Sequence, residues 1–149
     1  MKVGIIGSGN MGSAFARRVS AAGHDVLIAS RNIEEARKVA SSLGDRVRAV
    51  PQEQLAESAD IIIAATPYGQ QANALRGAGR LDGKTVVEIS NPLKDDMSGL
   101  AIGHTTSAAE EVAKAAPGAK IVKAFDTVFA EVLGRWRRRR QSAGLLRRR

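Results

Sequence analysis

The chain has 149 residues, of which 44% are hydrophobic, so it is long enough and apolar enough to bury one globular core. It has no cysteine, which excludes disulfide bonds and thiolate chemistry, and its lone loop histidine, His104, does not make a metal site. Aromatic residues make up only 3%, so the core must consist of Ala, Val, Ile and Leu, as suits helices packed closely on a parallel sheet. No apolar run approaches the ~20 residues that a membrane span needs, and no signal peptide precedes the first strand, so we expect a cytoplasmic protein without membrane contact.

The net charge of +8 comes from one end of the chain. Eight of the 23 basic residues are arginines within residues 135–149, and that stretch contains no acidic residue. The other 15 basic residues balance the 15 acidic ones, so the rest of the chain is formally neutral. The basic character therefore describes a tail and does not predict a nucleic-acid-binding domain.

The first strand leads into a glycine-rich turn and a helix. Val3–Ile6 is a continuous apolar run, typical of a strand buried on both faces, and a helix is predicted over Asn10–Ala22. Between them Gly7 allows a sharp turn, Gly9 lets a pyrophosphate approach the backbone, and Gly12 lets the helix pack closely. The free N–H groups and the dipole of the helix would face the phosphates, so the turn predicts dinucleotide binding. The alternative is a glycine-rich strand–helix turn that binds nothing.

The end of the second predicted strand, Asp25–Ala29, indicates which dinucleotide binds. Many NAD-binding units place an acidic residue there to hold the ribose 2′-OH, whereas this chain has Ser30, Arg31 and Asn32. A hydroxyl and a guanidinium can bind a 2′-phosphate that a carboxylate would repel, so NADP is favoured over NAD. The alternative is that Arg31 is an ordinary solvated loop residue. Asn32 is also a candidate N-cap for a helix that runs to Leu43.

The rest of the chain continues to alternate strands and helices, with a long loop over residues 94–106. This pattern predicts an α/β fold: a Rossmann-type doubly wound, mainly parallel sheet of about six strands with helices on both faces, over residues 1–133. The further strands are predicted at Arg46–Val50, Asp60–Ala65, Thr85–Ile89 and Lys120–Ala124, and the further helices at Pro51–Ser58, Gln70–Leu75, Ser107–Ala116 and from Val128 to Leu133.

Polar residues follow two of the predicted strands at the edge where ligands bind in such sheets. Thr66 and Pro67 are candidate walls of a nicotinamide site. Tyr68 next to them is either a stacking group or a partly buried packing aromatic. Asn91, after the later strand, either hydrogen-bonds a carboxamide or ribose or simply caps its loop.

Six segments in order carry a family resemblance: Gly7–Gly12, Ala29–Asn32, Ala64–Tyr68, Ile89–Leu93, Ser107–Glu111 and Val122–Phe125. Over residues 1–133 the chain resembles the NADP-binding domain of the NADPH:coenzyme F420 oxidoreductases and the related domains of the Steap metalloreductases. The resemblance implies hydride transfer between NADPH and a deazaflavin (coenzyme F420) or flavin, which needs no nucleophile or metal. It also implies roles by position: Ser8, Gly9, Asn10 and Met11 at the pyrophosphate, Ser30 and Arg31 at the 2′-phosphate, and Thr66, Pro67, Asn91 and Ala124 around the nicotinamide.

The chain departs from the family pattern near its end. Asp126 stands where members usually have Asn, and residues 134–149 replace the expected continuation with an arginine-rich tail. We expect a truncation with a frameshifted end, and a tail that is disordered or an aberrant helix extension. One alternative function is therefore a non-catalytic NADP(H)-binding module, whose missing region would expose apolar surface and favour a homodimer. Another is nucleic-acid binding by the tail, for which non-specific attraction is the simpler account.

Overall fold

A computed structural model describes residues 1–94 and 96–135, and these form one six-stranded sheet in which every pair of neighbouring strands is parallel. In chain order the strands are β1 (Lys2–Ile6), β2 (Asp25–Ala29), β3 (Val47–Ala49), β4 (Ile61–Ala64), β5 (Thr85–Glu88) and β6 (Lys120–Lys123). Their spatial order is β3-β2-β1-β4-β5-β6. The direction of winding reverses between β1 and β4, which is where a doubly wound sheet opens a crevice.

Helices connect the strands and cover both faces. They are α1 (Asn10–Ala21), α2 (Ile33–Leu43), α3 (Leu55–Ser58) after a 3₁₀ turn at Gln52–Gln54, α4 (Tyr68–Arg76), α5 (Ala108–Ala115) and α6 (Ala130–Arg135). In the part of the chain that the structure describes, no helix is long and apolar enough to cross a membrane.

The core consists of two layers because alternate strand residues face opposite sides of the sheet. The first layer packs α1, α2 and α6 on one face, and the second packs α3, α4 and α5 on the other. Buried side chains of the first layer include Ile5, Val26, Ile28, Phe15, Ala36 and Leu133. Those of the second include Ile6, Leu27, Ile62, Val86, Leu55, Leu75 and Val112. Small Ala side chains let the helices approach the sheet closely, which explains how a core with so few aromatic residues is filled.

The predicted architecture is confirmed, with shifts at element ends. The helix predicted over Pro51–Ser58 divides into a 3₁₀ turn and α3, and α4 begins at Tyr68 instead of Gln70. The earlier start follows from Pro67, whose φ of −55° already suits a helix entry and whose carbonyl accepts the Gln70 N–H. The helix predicted from Val128 begins at Ala130 and continues through the first two residues of the predicted tail. Residues 136–149, and with them the expectations of disorder and nucleic-acid binding, lie outside the described residues.

Candidate dinucleotide-binding site

The register of the sheet brings three loops together at the carboxyl ends of the central strands. Ile6 pairs with Ala29 of β2 on one side and with Ala64 of β4 on the other. Backbone bonds extend this pairing beyond the strands, because the Gly7 N–H donates to Ala29 O and the Ala65 N–H donates to Ile6 O, both at 2.8 Å. The glycine turn, the Ser30 corner and the Thr66 loop therefore meet at one edge.

Two glycines of the turn are required by its backbone geometry. Gly7 has a φ of +112°, and a Cβ there would lie 2.4 Å from the Ala65 carbonyl oxygen. A Cβ on Gly12 would lie 1.9 Å from the Gly7 carbonyl oxygen, so only glycine allows α1 to start this close to β1. Gly9 differs, because a Cβ there would meet nothing within 4 Å. The space above Gly9 is therefore open to a ligand.

The amino end of α1 supplies the donors for an anion. Gly9 is the N-cap residue of α1 and has no side chain to shield the first turn, and that turn contains no acidic residue. The Ser13 hydroxyl donates to Ser8 O at 3.0 Å and fixes the turn against the helix. The free N–H groups of the first turn and the helix dipole both favour a phosphate at this point. The geometry thus fits the pyrophosphate of a dinucleotide.

A cavity of about 630 Å³ opens beside this turn, towards the ends of β1, β2 and β4. Eight of the predicted site residues line it: Gly7, Ser8, Gly9, Ser30, Arg31, Asn32, Thr66 and Pro67. The lining also includes residues that the sequence reasoning missed: Glu35 on α2, Gln52, and Gln70, Asn73 and Ala74 on α4. The helical spacing of 70, 73 and 74 was the available signal, since it places the three on one face of α4.

The corner after β2 holds the predicted 2′-phosphate residues in different roles. Arg31 is exposed and pairs with no carboxylate in residues 1–94 and 96–135. The Ser30 hydroxyl donates to Asn32 O. Asn32 is the N-cap of α2, as predicted, and its side-chain oxygen accepts from the Glu34 N–H at 3.0 Å. Arg37, whose guanidinium lies 2.5 Å from the Glu34 carboxylate, is not among the residues that line the cavity.

A second cavity of about 740 Å³ lies on the other side of Thr66 and Pro67, and shares Gly9, Ala65, Thr66 and Pro67 with the first. The predicted residues Asn10, Met11, Tyr68 and Asn91 also line it. Apolar side chains of Leu93, Met97, Phe125 and Phe129 form further walls, which the sequence reasoning did not identify. Two of these, Met97 (φ +59°) and Phe125 (φ +65°), have left-handed backbones, a conformation that is unusual for such residues and common at functional sites.

An ion pair between a buried carboxylate and a partly exposed lysine supports the β5 side of the second cavity. Glu88 is fully buried, and its carboxylate accepts from the Ser90 N–H and hydroxyl, both at 2.6 Å, and from Lys123 Nζ at 2.7 Å. Lys123 Nζ also donates to Ser90 O. Every polar group of Ser90 is thus held, which fixes the loop that carries Asn91. The Asn91 amide donates to Asp126 O at 2.9 Å, so it also ties this loop to the chain after β6.

The β4 side of the junction is held by a buried glutamine. Gln71 is fully buried, and its Nε2 donates to the carbonyls of Ala64 and Thr66 at 3.2 and 3.4 Å. The Thr66 hydroxyl is also buried and has no protein partner among the described residues. A polar group of this kind at the wall of both cavities is ready to bond a ligand or a water.

Two other predicted residues have a clear local setting. Tyr68 is the first residue of α4, and partial burial together with the Glu111 and Glu88 carboxylates raises the pKa of its phenol, so the hydroxyl stays protonated as a donor. Ala124 does not line either cavity; its N–H donates to Glu88 O at 3.1 Å. Its position near the nicotinamide stays a prediction. Within the described residues no group of three or more His, Asp or Glu side chains could hold a metal ion.

A parallel sheet of this order, with the glycine turn and a two-part cavity at its switch point, defines a dinucleotide-binding domain of the Rossmann type. The model of one protein family matches residues 2–92, which is more than half of the chain. The chain belongs to this family, which is described as NADP oxidoreductase, coenzyme F420-dependent.

Relatives and a solved structure agree with this membership. The chain is 31% identical over 132 residues to the metalloreductase STEAP3 of Rattus norvegicus, and 28% identical over 148 residues to the F420-dependent NADP reductase of Methanothermobacter thermautotrophicus; each comparison covers 89% of the chain. A hypothetical protein of Sinorhizobium meliloti, SMa0349, superposes with a TM-score of 0.80 and 34% identity over 90% of the chain. The matched part is 26% of the rat protein, 64% of the Methanothermobacter protein and 65% of the Sinorhizobium chain.

Proposed function

We propose that this chain binds NADP(H) across the two cavities and transfers a hydride between the nicotinamide and a deazaflavin (coenzyme F420) or a flavin. The observation that carries the proposal is the shared wall formed by Gly9, Thr66 and Pro67. A dinucleotide whose pyrophosphate lies at Gly9 has its two halves on opposite sides of this wall. The family description and the Methanothermobacter relative support this choice of cofactor and acceptor.

The adenosine half belongs in the first cavity. There Arg31 would hold the 2′-phosphate, since its guanidinium pairs with no carboxylate among the described residues. Ser30 would donate to the same phosphate by turning its hydroxyl away from Asn32 O. The amino end of α1 would hold the pyrophosphate. When bound, NADPH supplies the hydride, and the protein's task is to hold the two reacting rings in contact.

The nicotinamide half belongs in the second cavity. Thr66, whose buried hydroxyl has no protein partner among the described residues, would orient the ring together with the fixed loop that carries Asn91. The apolar side chains of Met97, Phe125 and Phe129 would cover a flat acceptor and exclude water from the transfer.

Cofactor choice is tested by measuring dissociation constants for NADPH and NADH in the wild type and in Arg31→Asp. We expect the substitution to weaken NADPH at least tenfold, the size of one lost charge-assisted contact, and to change NADH much less. Arg37→Asp is the matched control, because its guanidinium already pairs with Glu34 and is absent from the cavity lining. If NADPH preference survives in Arg31→Asp, Arg31 does not bind the 2′-phosphate.

Hydride transfer is tested by mixing the protein anaerobically with NADPH and either coenzyme F420 or a flavin and following the NADPH absorbance. Turnover that requires the protein supports the proposal. A second candidate, a module that binds NADP(H) without turnover, is favoured by the openness of the second cavity: Met97 and Phe129 are 75% and 79% exposed. Tight NADPH binding with no oxidation by either acceptor would identify the module and refute the enzyme.

We also propose that the chain forms a homodimer. Phe129, just before α6, and Val132 on α6 are large apolar side chains that are mostly exposed, and such a patch usually marks an interface. Light scattering on the intact protein, with a Phe129→Ser/Val132→Ser variant beside it, measures the mass directly. A monomeric wild type would refute this proposal. The cytoplasmic location stays a prediction.

A further inference from the structure

The first cavity contains one carboxylate beside the basic residue expected to bind phosphate. Glu35 lies in the first turn of α2 and lines the cavity with Ser30 and Arg31. Its Oε2 accepts a hydrogen bond from the Ser8 hydroxyl at 3.3 Å, so it faces the glycine turn across the cavity. Arg31 and Glu35 are the charged residues of the lining, which makes this end of the cavity formally neutral.

Arg31 offsets the charge of Glu35 only from a distance, because the two side chains form no ion pair. The nearby Arg37 guanidinium lies on Glu34, and no ion pair to Glu35 exists in the described part of the chain. A free carboxylate acts oppositely on the two dinucleotides. It repels a 2′-phosphate dianion, and it can accept a hydrogen bond from a ribose hydroxyl of NADH.

We propose that Glu35 is a specificity-determining residue that limits the preference for NADPH over NADH. The inference rests on the proposed function, since it assumes that the adenosine half occupies the first cavity. Arg31 attracts the 2′-phosphate and Glu35 opposes it from the same wall, so the wild type discriminates less than Arg31 alone would allow. Cofactor choice here depends on a pair of opposed charges, and each can be changed separately.

Glu35 contributes little to the stability of the fold, so substitutions there can change cofactor affinity without unfolding the protein. The residue is exposed, and its one described side-chain contact is the long hydrogen bond to the exposed Ser8 hydroxyl. Such a contact between solvated groups contributes little to stability. Glu35→Gln keeps the size and the acceptor oxygen and removes only the charge, whereas Glu35→Lys reverses the charge.

The experiment measures dissociation constants of the full chain for NADPH and NADH by fluorescence titration at low and high salt. At low salt we expect Glu35→Gln to tighten NADPH on the order of three- to tenfold, the size of one solvated charge pair, and to leave NADH unchanged or weaker. Glu35→Lys should tighten NADPH further, and the gain of both variants should shrink at high salt. Glu57→Gln is the matched charge control, because Glu57 lies in a groove with Met1 and Asp60 at the amino ends of the strands, away from the first cavity.

The outcomes separate this inference from the proposed function. A ratio of NADPH to NADH affinity that stays within twofold of the wild type in both Glu35 variants overturns the inference and leaves the proposed function standing. An equal shift in Glu57→Gln also overturns it, because the effect would then be one of net charge. A wild type that binds neither dinucleotide overturns both. Thermal unfolding of each variant shows that affinities are compared between folded proteins.

Discussion

Replacing Gly9 by alanine should weaken cofactor binding at least tenfold without unfolding the protein. Gly9 has φ −70° and ψ −167°, values that alanine adopts freely, and the added Cβ would meet no protein atom within 4 Å. The methyl group would stand in the open space that we propose for the pyrophosphate. The substitution therefore lowers the affinity for the ligand and leaves the stability of the protein unchanged. Gly12→Ala, three positions further along the chain, should instead lower the stability.

The structure gives the size of both effects. At Gly9 the alanine is a poorer N-cap than glycine, but it also restricts the unfolded chain, and these terms of roughly 0.5–1 kcal/mol nearly cancel. At Gly12 the Cβ would lie 1.9 Å from the Gly7 carbonyl oxygen, so the turn and α1 must separate by about 1 Å or more. Overpacking against backbone of this kind costs about 3 kcal/mol.

Urea unfolding and NADPH titration of the two variants check the reasoning. For Gly9→Ala we expect a free energy of unfolding within about 1 kcal/mol of the wild type and an NADPH dissociation constant at least tenfold higher. For Gly12→Ala we expect a clear loss of stability. Wild-type NADPH affinity in Gly9→Ala would refute the placement of the pyrophosphate, and equal destabilisation by both changes would refute the distinction between the glycines.

Three further predictions concern the elements around the site. Lys123→Met leaves the fully buried Glu88 carboxylate without its ion-pair partner and should lower the free energy of unfolding, measured by urea titration, by about 2–3 kcal/mol. The partial exposure of the lysine side chain keeps this value moderate. A loss below about 1 kcal/mol would contradict the prediction. Gln71→Leu removes both hydrogen bonds to the carbonyls at the end of β4 and should lower the free energy of unfolding by about 1–3 kcal/mol in the same urea titration. The affinity of the folded variant for NADPH should also fall. Unchanged stability would show that the carbonyls find other hydrogen-bond partners. Hydrogen bonds from the Ser107 hydroxyl and backbone hold the pKa of Glu110 below its ordinary 4.5, so the carboxylate stabilises the fold above that pH and this stabilisation is lost as the pH falls through the lower pKa of the folded state. The unfolding temperatures of wild type and Glu110→Gln should therefore differ at neutral pH and converge in acid. A difference that stays constant with pH would contradict this prediction.

The glycine turn and the β2 corner could be predicted from sequence because local chemistry decides them. Gly7 is required by its positive φ, and Gly12 is required by its close approach to the Gly7 carbonyl oxygen, five residues earlier in the chain. Both requirements therefore appear in the sequence as a short spacing between glycines. The N-cap role of Asn32 was also predicted, since its side chain bonds a backbone N–H only two residues further along the chain. The parallel direction of the strands was also predicted, because a helix between two strands carries the chain back to the same end of the sheet.

The remaining parts of the site depend on tertiary geometry that no spacing reveals. Glu35 enters the cavity only because α2 crosses near the glycine turn at a particular rotation, and its neighbour Glu34 points to Arg37 instead. Glu88 and Lys123 are 35 residues apart and meet because the register of β5 on β6 sets them opposite each other. Phe125 reaches the second cavity through a left-handed backbone and an edge-to-face contact with Phe15, with ring centroids 5.1 Å apart.

Within the described residues β3 and β6 are the outer strands of the sheet, and each has an exposed basic side chain. Arg48 stands on β3 and Lys120 on β6. A second copy that extended the sheet by strand pairing would meet one of these positive charges at either strand. The exposed basic side chains thus disfavour edge-to-edge association of sheets, because like charges set opposite each other repel.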